Sequence, residues 1–390
     1  MKAVDPHTLP VTSERAHRLQ CHVAYLASPE LKGRKPGTPG NAAAAQYIVS
    51  HFTEAGLLPL SSLGGYTQLI HPDIGDNVIG VRFPVTGTSP SRWILIGAHF
   101  DHLGESRGKI YAGADDNASA VAILIELAKE SPALHQATLG FIAFNSEEPP
   151  YIRTPQMGSQ FFVDHLPPEI GSPDHIQAAI IMDLMGGVFW KPVQETIFAA
   201  GAERSPGLYR HLKALPRFTH NGHELLVKPV GLHGIEEIPF IGRVPVSDYD
   251  AFRNVRVPFL FLSAGRTPRY HRPTDLPDTL YYERMALTQQ WLRAILQRLD
   301  DDPQRSDYDD ARMELADEVD TFRPLLRQAA QWETRIPGTS PATLLKLKRD
   351  AQWLESFDPA KASPTDIARL ERISLRLQCL LADIPLAFLL

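Results

Sequence analysis

Short, unbroken apolar runs punctuate the first three-quarters of the chain: "DNVIGVRF", "RWILIGAHF", "ATLGFIAFN", "AAIIMDLM" and "VPFLFLSA". Most have strand length and show no alternating polar face, the pattern of strands buried on both sides. Between them, apolar positions recur at helical spacing. The Ala-rich run after the Gly/Pro loop "GRKPGTPGN" carries Tyr47, Ile48 and Phe52 at that spacing until Gly56 ends it, and "NASAVAILIELAKE" and "MGSQFFVDHL" repeat the signal. Alternation of this kind predicts an α/β fold, a three-layer sandwich with helices covering a mostly parallel mixed sheet.

From about Asp301 the strand-like runs stop, and helical patterns over 307–333, 341–357 and 364–384 take their place. Ser340 and Ser363 stand where N-caps belong, each followed by a proline at the first helical position. The expected organisation is a sheet domain over 1–300 and an all-α C-terminal appendage over 301–390. Ile367, Leu370, Ile373, Leu377, Leu380 and Ile384 fall on one helix face. That face is expected to pack onto the sheet domain or to join copies of the chain into a homo-oligomer.

Composition narrows the function classes. With 390 residues, 43% of them apolar, the chain can bury a substantial core. A formal net charge of -6, from 45 acidic and 39 basic residues, supplies no basic stripe, so nucleic acid is not an expected partner. No run approaches the roughly 18 apolar residues that span a bilayer, and the first twenty residues lack the regions of a secretory signal. A cytoplasmic protein with no membrane partner is expected. Cys21 and Cys379 allow at most one disulfide and no thiolate metal site, and both are expected to be reduced.

Acidic and histidine residues gather where the strand-like runs end, which is where open α/β sheets bind ligands. "ILIGAHFD" ends in His99 and Asp101, "FIAFNSEE" in Glu147 and Glu148, and "AIIMDLMG" delivers Asp183. A Gly-rich turn before a helix carries Asp115 and Asp116, and "FLFLSAGRTPRYHRPTD" brings Tyr270, His271 and Asp275. Two imidazoles and several carboxylates make a nitrogen and oxygen donor set suited to zinc or a similar divalent ion. So many carboxylates would repel one another unless cations balanced them, and two metals fit that charge better than one.

The ordered set "GAHFDHLG", "GADDNASA", "NSEE", "IMDLMG" and "YHRPTDLPD" resembles the M28 family of zinc exopeptidases, co-catalytic dizinc aminopeptidases with a phosphorylase/hydrolase-like α/β fold. The resemblance covers residues 25–299. It implies that Asp116 bridges two Zn2+ ions, that His99 and Asp183 complete one site, and that Glu148 and His271 complete the other. Co2+ or Mn2+ would suit the same donors. It further implies Glu147 as general base, Asp101 as the acceptor orienting His99, and a peptide or aminoacyl substrate. Tyr270 matches a tyrosine that contacts the substrate carbonyl in some relatives; packing beneath the histidine loop is the competing role. His102 falls outside this ligand set, which is full without it. Asp115 is expected to brace the turn or the helix start, and Asp275 to be a structural acceptor.

The sequence departs from the family pattern in two places. After the glutamate pair runs "PPYIRTPQMGS", a longer loop expected to edge the substrate pocket, where Arg153 is a candidate contact for a substrate carboxylate and a solvated loop arginine is the competing role. The family's "SDH" is here "SDYDAF", which puts Tyr249 at the histidine's position as a candidate substrate contact. Val244, beside Arg243, stands where some aminopeptidases carry an oxyanion-binding tyrosine. The leading expectation is therefore a metallo-aminopeptidase. The alternatives are a carboxypeptidase, dipeptidase or amidohydrolase using Arg153, Arg243 or Arg266 as an anchor, and a non-catalytic binding or assembly module.

Overall fold

The computed structural model describes residues 4–5, 9–87, 92–238, 241–302, 304–330 and 341–382. In chain order the strands are β1 (Thr67–His71), β2 (Gly75–Arg82), β3 (Trp93–His99), β4 (Gly104–Ser106), β5 (Lys109–Tyr111), β6 (Thr138–Phe144) and β7 (Ile176–Met182). They continue with β8 (Thr196–Ala200), β9 (Phe218–His220), β10 (His223–Pro229), β11 (Glu237–Ile238), β12 (Gly242–Arg243) and β13 (Phe259–Ser263). Nine of these form one mixed sheet in the order β1-β2-β6-β3-β7-β13-β8-β10-β9, while β4–β5 and β11–β12 are small separate pairs.

The middle of the sheet, β6, β3, β7 and β13, is parallel. All four strands are buried along their whole length, which is why they read as continuous apolar runs. On either side β2 and β8 run antiparallel to it. The outer strands β1, β9 and β10 are partly exposed and carry polar residues, so the apolar-run signal passes over them.

The helices are α1 (Glu14–Leu26), α2 (Pro39–Glu54), α3 (Ala120–Glu130), α4 (Gly158–Asp164), α5 (Pro206–Lys213), α6 (Leu232–Glu236), α7 (Tyr249–Asn254), α8 (Tyr282–Asp301), α9 (Leu315–Ala330), α10 (Pro341–Ser356) and α11 (Pro364–Leu381). Alternate side chains of each central strand serve opposite layers. Ile94 and Ile96 of β3 pack with α1, α2, α3 and α8. Trp93 and Leu95 share the other core with α4, α7 and the C-terminal helices α9, α10 and α11. Leu370, Ile373, Leu377 and Leu380 are buried in that second core, each contributing roughly 1.5–3 kcal/mol by leaving water.

Local signals explain the helix starts. Ser363 caps α11 in a reciprocal capping box with Asp366, and Thr38 caps α2 ahead of Pro39. The stretch 307–314, expected to be helical, is not. The Tyr308 and Asp310 carbonyls accept from Arg256 and Arg204, and α9 starts only at Leu315. Ser340 and Ile384, and the expected helix end near 333, lie outside the described residues. Cys21 and Cys379 are both free thiols. Among the described residues no helix is long and apolar enough to cross a membrane.

Candidate metal centre

Parallel strands end on one edge, so β3, β6 and β7 carry their following residues to the same place. His99 closes β3, Glu147 and Glu148 follow β6, and Asp183 follows β7. Asp116 comes from the turn ahead of α3, and His271 from the loop after β13. The His99 Nε2 atom lies 3.4 Å from Asp116 Oδ1, 3.6 Å from Asp183 Oδ1 and 3.9 Å from Glu147 Oε2. On the far side of Asp116, His271 Nε2 lies 3.2 Å from Asp116 Oδ2 and 3.2 Å from Glu148 Oε2. The two oxygens of Asp116 thus face two different imidazoles.

The surrounding loops are fixed by buried polar groups. Asp101 accepts from the Glu147 and Glu148 amides at 3.0 and 3.2 Å, and its Oδ1 lies 3.6 Å from His99 Nδ1. Asp275 accepts from the Asp115 and Asp116 amides at 2.9 and 3.1 Å. Asp115 in turn accepts from the Gly186 and Gly187 amides, 2.8 and 2.7 Å, tying the turn to the loop after β7. A Cβ at position 187 would lie 2.2 Å from the Asp115 carboxylate, so only glycine permits this approach. Arg34, completely buried, donates to the carbonyls of Leu26, Phe100, Ala112 and Gly113. Ser146, Leu184 and His271 adopt left-handed φ of 53°, 56° and 54° beside or at the cluster, local strain of the kind that accumulates at functional sites.

Electrostatically the cluster is short of positive charge. Burial alone would keep His99 neutral, yet Glu147, Asp101, Asp116 and Asp183 raise it well above the usual imidazole range. His271 is likewise pushed up to about 10, against the effect of burial, by Asp116 and Glu148. Glu147 is raised well above the ordinary carboxylate range by burial, with Glu148, Asp248 and Asp183 adding to it and His99 opposing. Several buried nitrogen and oxygen atoms lack a hydrogen-bond partner: His99 Nε2, His102 Nδ1, Asp116 Oδ2, Glu148 Oε1 and Asp183 Oδ1. Unsatisfied buried nitrogen and oxygen atoms converging this way fit divalent cations, which would replace the protons the imidazoles otherwise hold. Among the described residues two donor groups meet this description, His99–Asp116–Asp183 and His102–Asp116–Glu148, and they share Asp116.

Residues 77–296 match the family model described as peptidase family M28. The chain belongs to peptidase family M28. It is 26% identical over 226 residues to Uncharacterized protein YfbL of Escherichia coli (strain K12), a match covering 51% of this chain and 65% of that relative, less than two-thirds of its length. Among solved structures, the Legionella pneumophila LapA aminopeptidase superposes with a TM-score of 0.56 at 17% identity, covering 74% of this chain and 70% of that one. The aminopeptidase from Aneurinibacillus sp. strain AM-1 gives 0.52 at 14% identity, covering 77% and 96%. BSAP, a zinc aminopeptidase from Bacillus subtilis, gives 0.53 at 14% identity, covering 78% and 100%. At these identities the likeness speaks for the M28 fold.

Around this cluster some expected residues are absent and others arrive unannounced. Tyr249 is not brought to the cluster. Its fully buried ring stacks on Phe259 and its hydroxyl donates to Glu236 at 2.7 Å, so it cannot meet substrate. The loop carrying Arg153 edges a separate recess with Met157, Pro245 and Asp250, and Arg243 pairs loosely with Asp310 at 3.8 Å. Tyr270 does reach the site: it stacks on His271, with centroids 3.9 Å apart, and burial pushes its hydroxyl up. His102 also joins the cluster. Its buried Nδ1 lies 2.8 Å from Glu148 Oε1, although neither atom forms a hydrogen bond. The adjacent "HFDH" spacing was the available signal, since a strand end followed by a turn can return a second histidine to the same edge. Asp248, in the "SDY" segment, is completely buried and pushed up to about 7, burial dominating over the pull of His99. The sequence signal for it is the acid of that same segment, beside Tyr249.

Proposed function

We propose that this protein is a zinc-dependent aminopeptidase that removes N-terminal residues from peptides with two metal ions. The observation that carries the reading is the arrangement around Asp116, whose Oδ1 faces His99 and whose Oδ2 faces His271. His99 and Asp183 would share one ion with Asp116, and Glu148 and His271 would share the other, with His102 close by. Zinc held by these residues would supply Lewis acidity for the scissile carbonyl and for the attacking water.

The protein's own groups supply the remainder. Glu147, raised by burial and flanking carboxylates, accepts the proton of the attacking water and returns it to the leaving amine. Asp101 keeps the Glu147 backbone and the His99 ring in register. Tyr270, whose ring stacks on His271 and whose hydroxyl stays protonated at neutral pH, would donate to the oxyanion. Support comes from family membership and from aminopeptidases among the similar folds. One observation favours a second reading: Arg266 lines the cavity that also includes Asp183 and Tyr270, so a carboxypeptidase or dipeptidase could anchor a substrate carboxylate there.

Turnover of free and N-acetylated forms of the same peptides tests the reading. The aminopeptidase hydrolyses only the free-amine forms, and Glu147→Ala abolishes that turnover while retaining metal. Equal hydrolysis of blocked peptides would support the second reading instead.

A further inference from the structure

The cavity that meets the cluster is walled on one side by the C-terminal helices. Its enclosed volume is about 110 Å³, room for one side chain, and it includes Asp183 and Tyr270. The sheet body contributes Trp190, Phe198, Val230 and Phe261. The facing wall consists of Phe322 and Leu325 of α9 with Ser374, Leu377, Gln378 and Leu381 of α11. All six lie beyond residue 296, where the family match ends.

We infer that α9 and α11 form the specificity wall for the side chain of the residue being removed, and that the pocket selects large apolar or aromatic side chains. The inference rests on the aminopeptidase reading above. The lining commits the occupant: among the described residues, the charged side chains lining the cavity are Asp183 and Arg266, and the Arg266 guanidinium lies over the Tyr270 ring at 4.7 Å, beside the cluster. The wall is also anchored. His233, between β10 and β11, bridges Glu318 of α9 at 2.9 Å and Glu371 of α11 at 3.2 Å. Thr321 donates to the Pro229 carbonyl at 2.8 Å and Gln378 to that of Gly234 at 3.2 Å. Val230 and Ile235, from this same segment, line the pocket. A fixed apolar wall of this size discriminates by methylene count.

The test uses the full-length metal-loaded protein, Ser374→Trp, which fills the pocket, and Leu377→Ala, which widens it. Alanyl, leucyl, phenylalanyl and glutamyl p-nitroanilides are compared in free and N-acetylated form, and binding of phenylalaninamide and alaninamide is measured by calorimetry. Wild type is expected to favour phenylalanyl over alanyl substrates by about tenfold or more in kcat/KM. Ser374→Trp is expected to reduce that ratio by about tenfold and Leu377→Ala to change it in the other direction. Unchanged ratios in both variants, with circular dichroism and metal content as in wild type, overturn the inference; so does a preference for glutamyl substrates. Turnover confined to the acetylated series sinks the aminopeptidase reading, while the same ratio still decides the pocket. If neither series is hydrolysed, phenylalaninamide binding no tighter than alaninamide overturns it. If one variant fails to fold, the other variant's ratio decides.

Discussion

Replacing His233 by alanine tests how the C-terminal helices are held. The imidazole is buried, its Nε2 2.9 Å from Glu318 Oε2 and its Nδ1 3.2 Å from Glu371 Oε1. Burial favours the neutral ring, but the two glutamates overcome this and raise it to about 10. An imidazole moved from 6.5 to about 10 corresponds to roughly 5 kcal/mol at most. Removing one partner of a buried ion pair costs about 3–5 kcal/mol, because the survivor remains charged out of water. Glu318, only 1% exposed, would be that survivor. The loss expected at pH 6 is therefore about 3–5 kcal/mol. Because the folded-state value is raised, the stabilisation is complete below about 6.5 and is lost as pH rises through about 10. Urea unfolding at pH 6 and at pH 10.5, with hydrogen exchange of the α9 and α11 amides, measures both. The gap between wild type and His233→Ala should shrink at the higher pH, and exchange should quicken in α9 and α11. A gap equal at both pH values, or none at pH 6, would refute the reasoning.

Two further substitutions probe the frame around the site. Tyr249→Phe removes the hydroxyl that donates to Glu236 and should cost about 1–2 kcal/mol in thermal unfolding while leaving turnover as in wild type; a large fall in kcat would return Tyr249 to the substrate. Asp300→Ala should cost about 3 kcal/mol in chemical denaturation, since Asp300 accepts from the His135, Gln136 and Ala137 amides that lead into β6, and a change under about 0.5 kcal/mol would contradict this.

The centre of the sheet and most of the cluster were legible for one physical reason. Strands buried on both faces must be continuously apolar, so a charged residue at such a run's end is conspicuous, as His99, Glu147 and Asp183 are. The outer strands carried no such mark because β1 and β10 each present polar residues to solvent. The pattern also could not give direction. Tyr249 sits in a segment next to the site but points inward to Glu236 and Phe259, while Asp248, one residue earlier, is close enough to His99 to feel its charge. Spacing alone cannot say which of two nearby imidazoles a turn brings back, so His102 carried no distinguishing mark in the sequence, although its Nδ1 lies 2.8 Å from Glu148 Oε1. The role of α9 and α11 was hidden for a similar reason: their apolar faces announced packing, but only the fold shows that part of that surface borders a cavity beside Asp183.

The central claim is that one carboxylate, Asp116, holds the site together by serving both halves. Metal analysis of purified, exhaustively dialysed protein tests it most directly, comparing wild type with Asp116→Ala and Glu147→Ala. The account predicts two zinc ions per chain in wild type, near-complete loss in Asp116→Ala and retention of both in Glu147→Ala. Asp116→Ala retaining both ions, or wild type binding none, would contradict it.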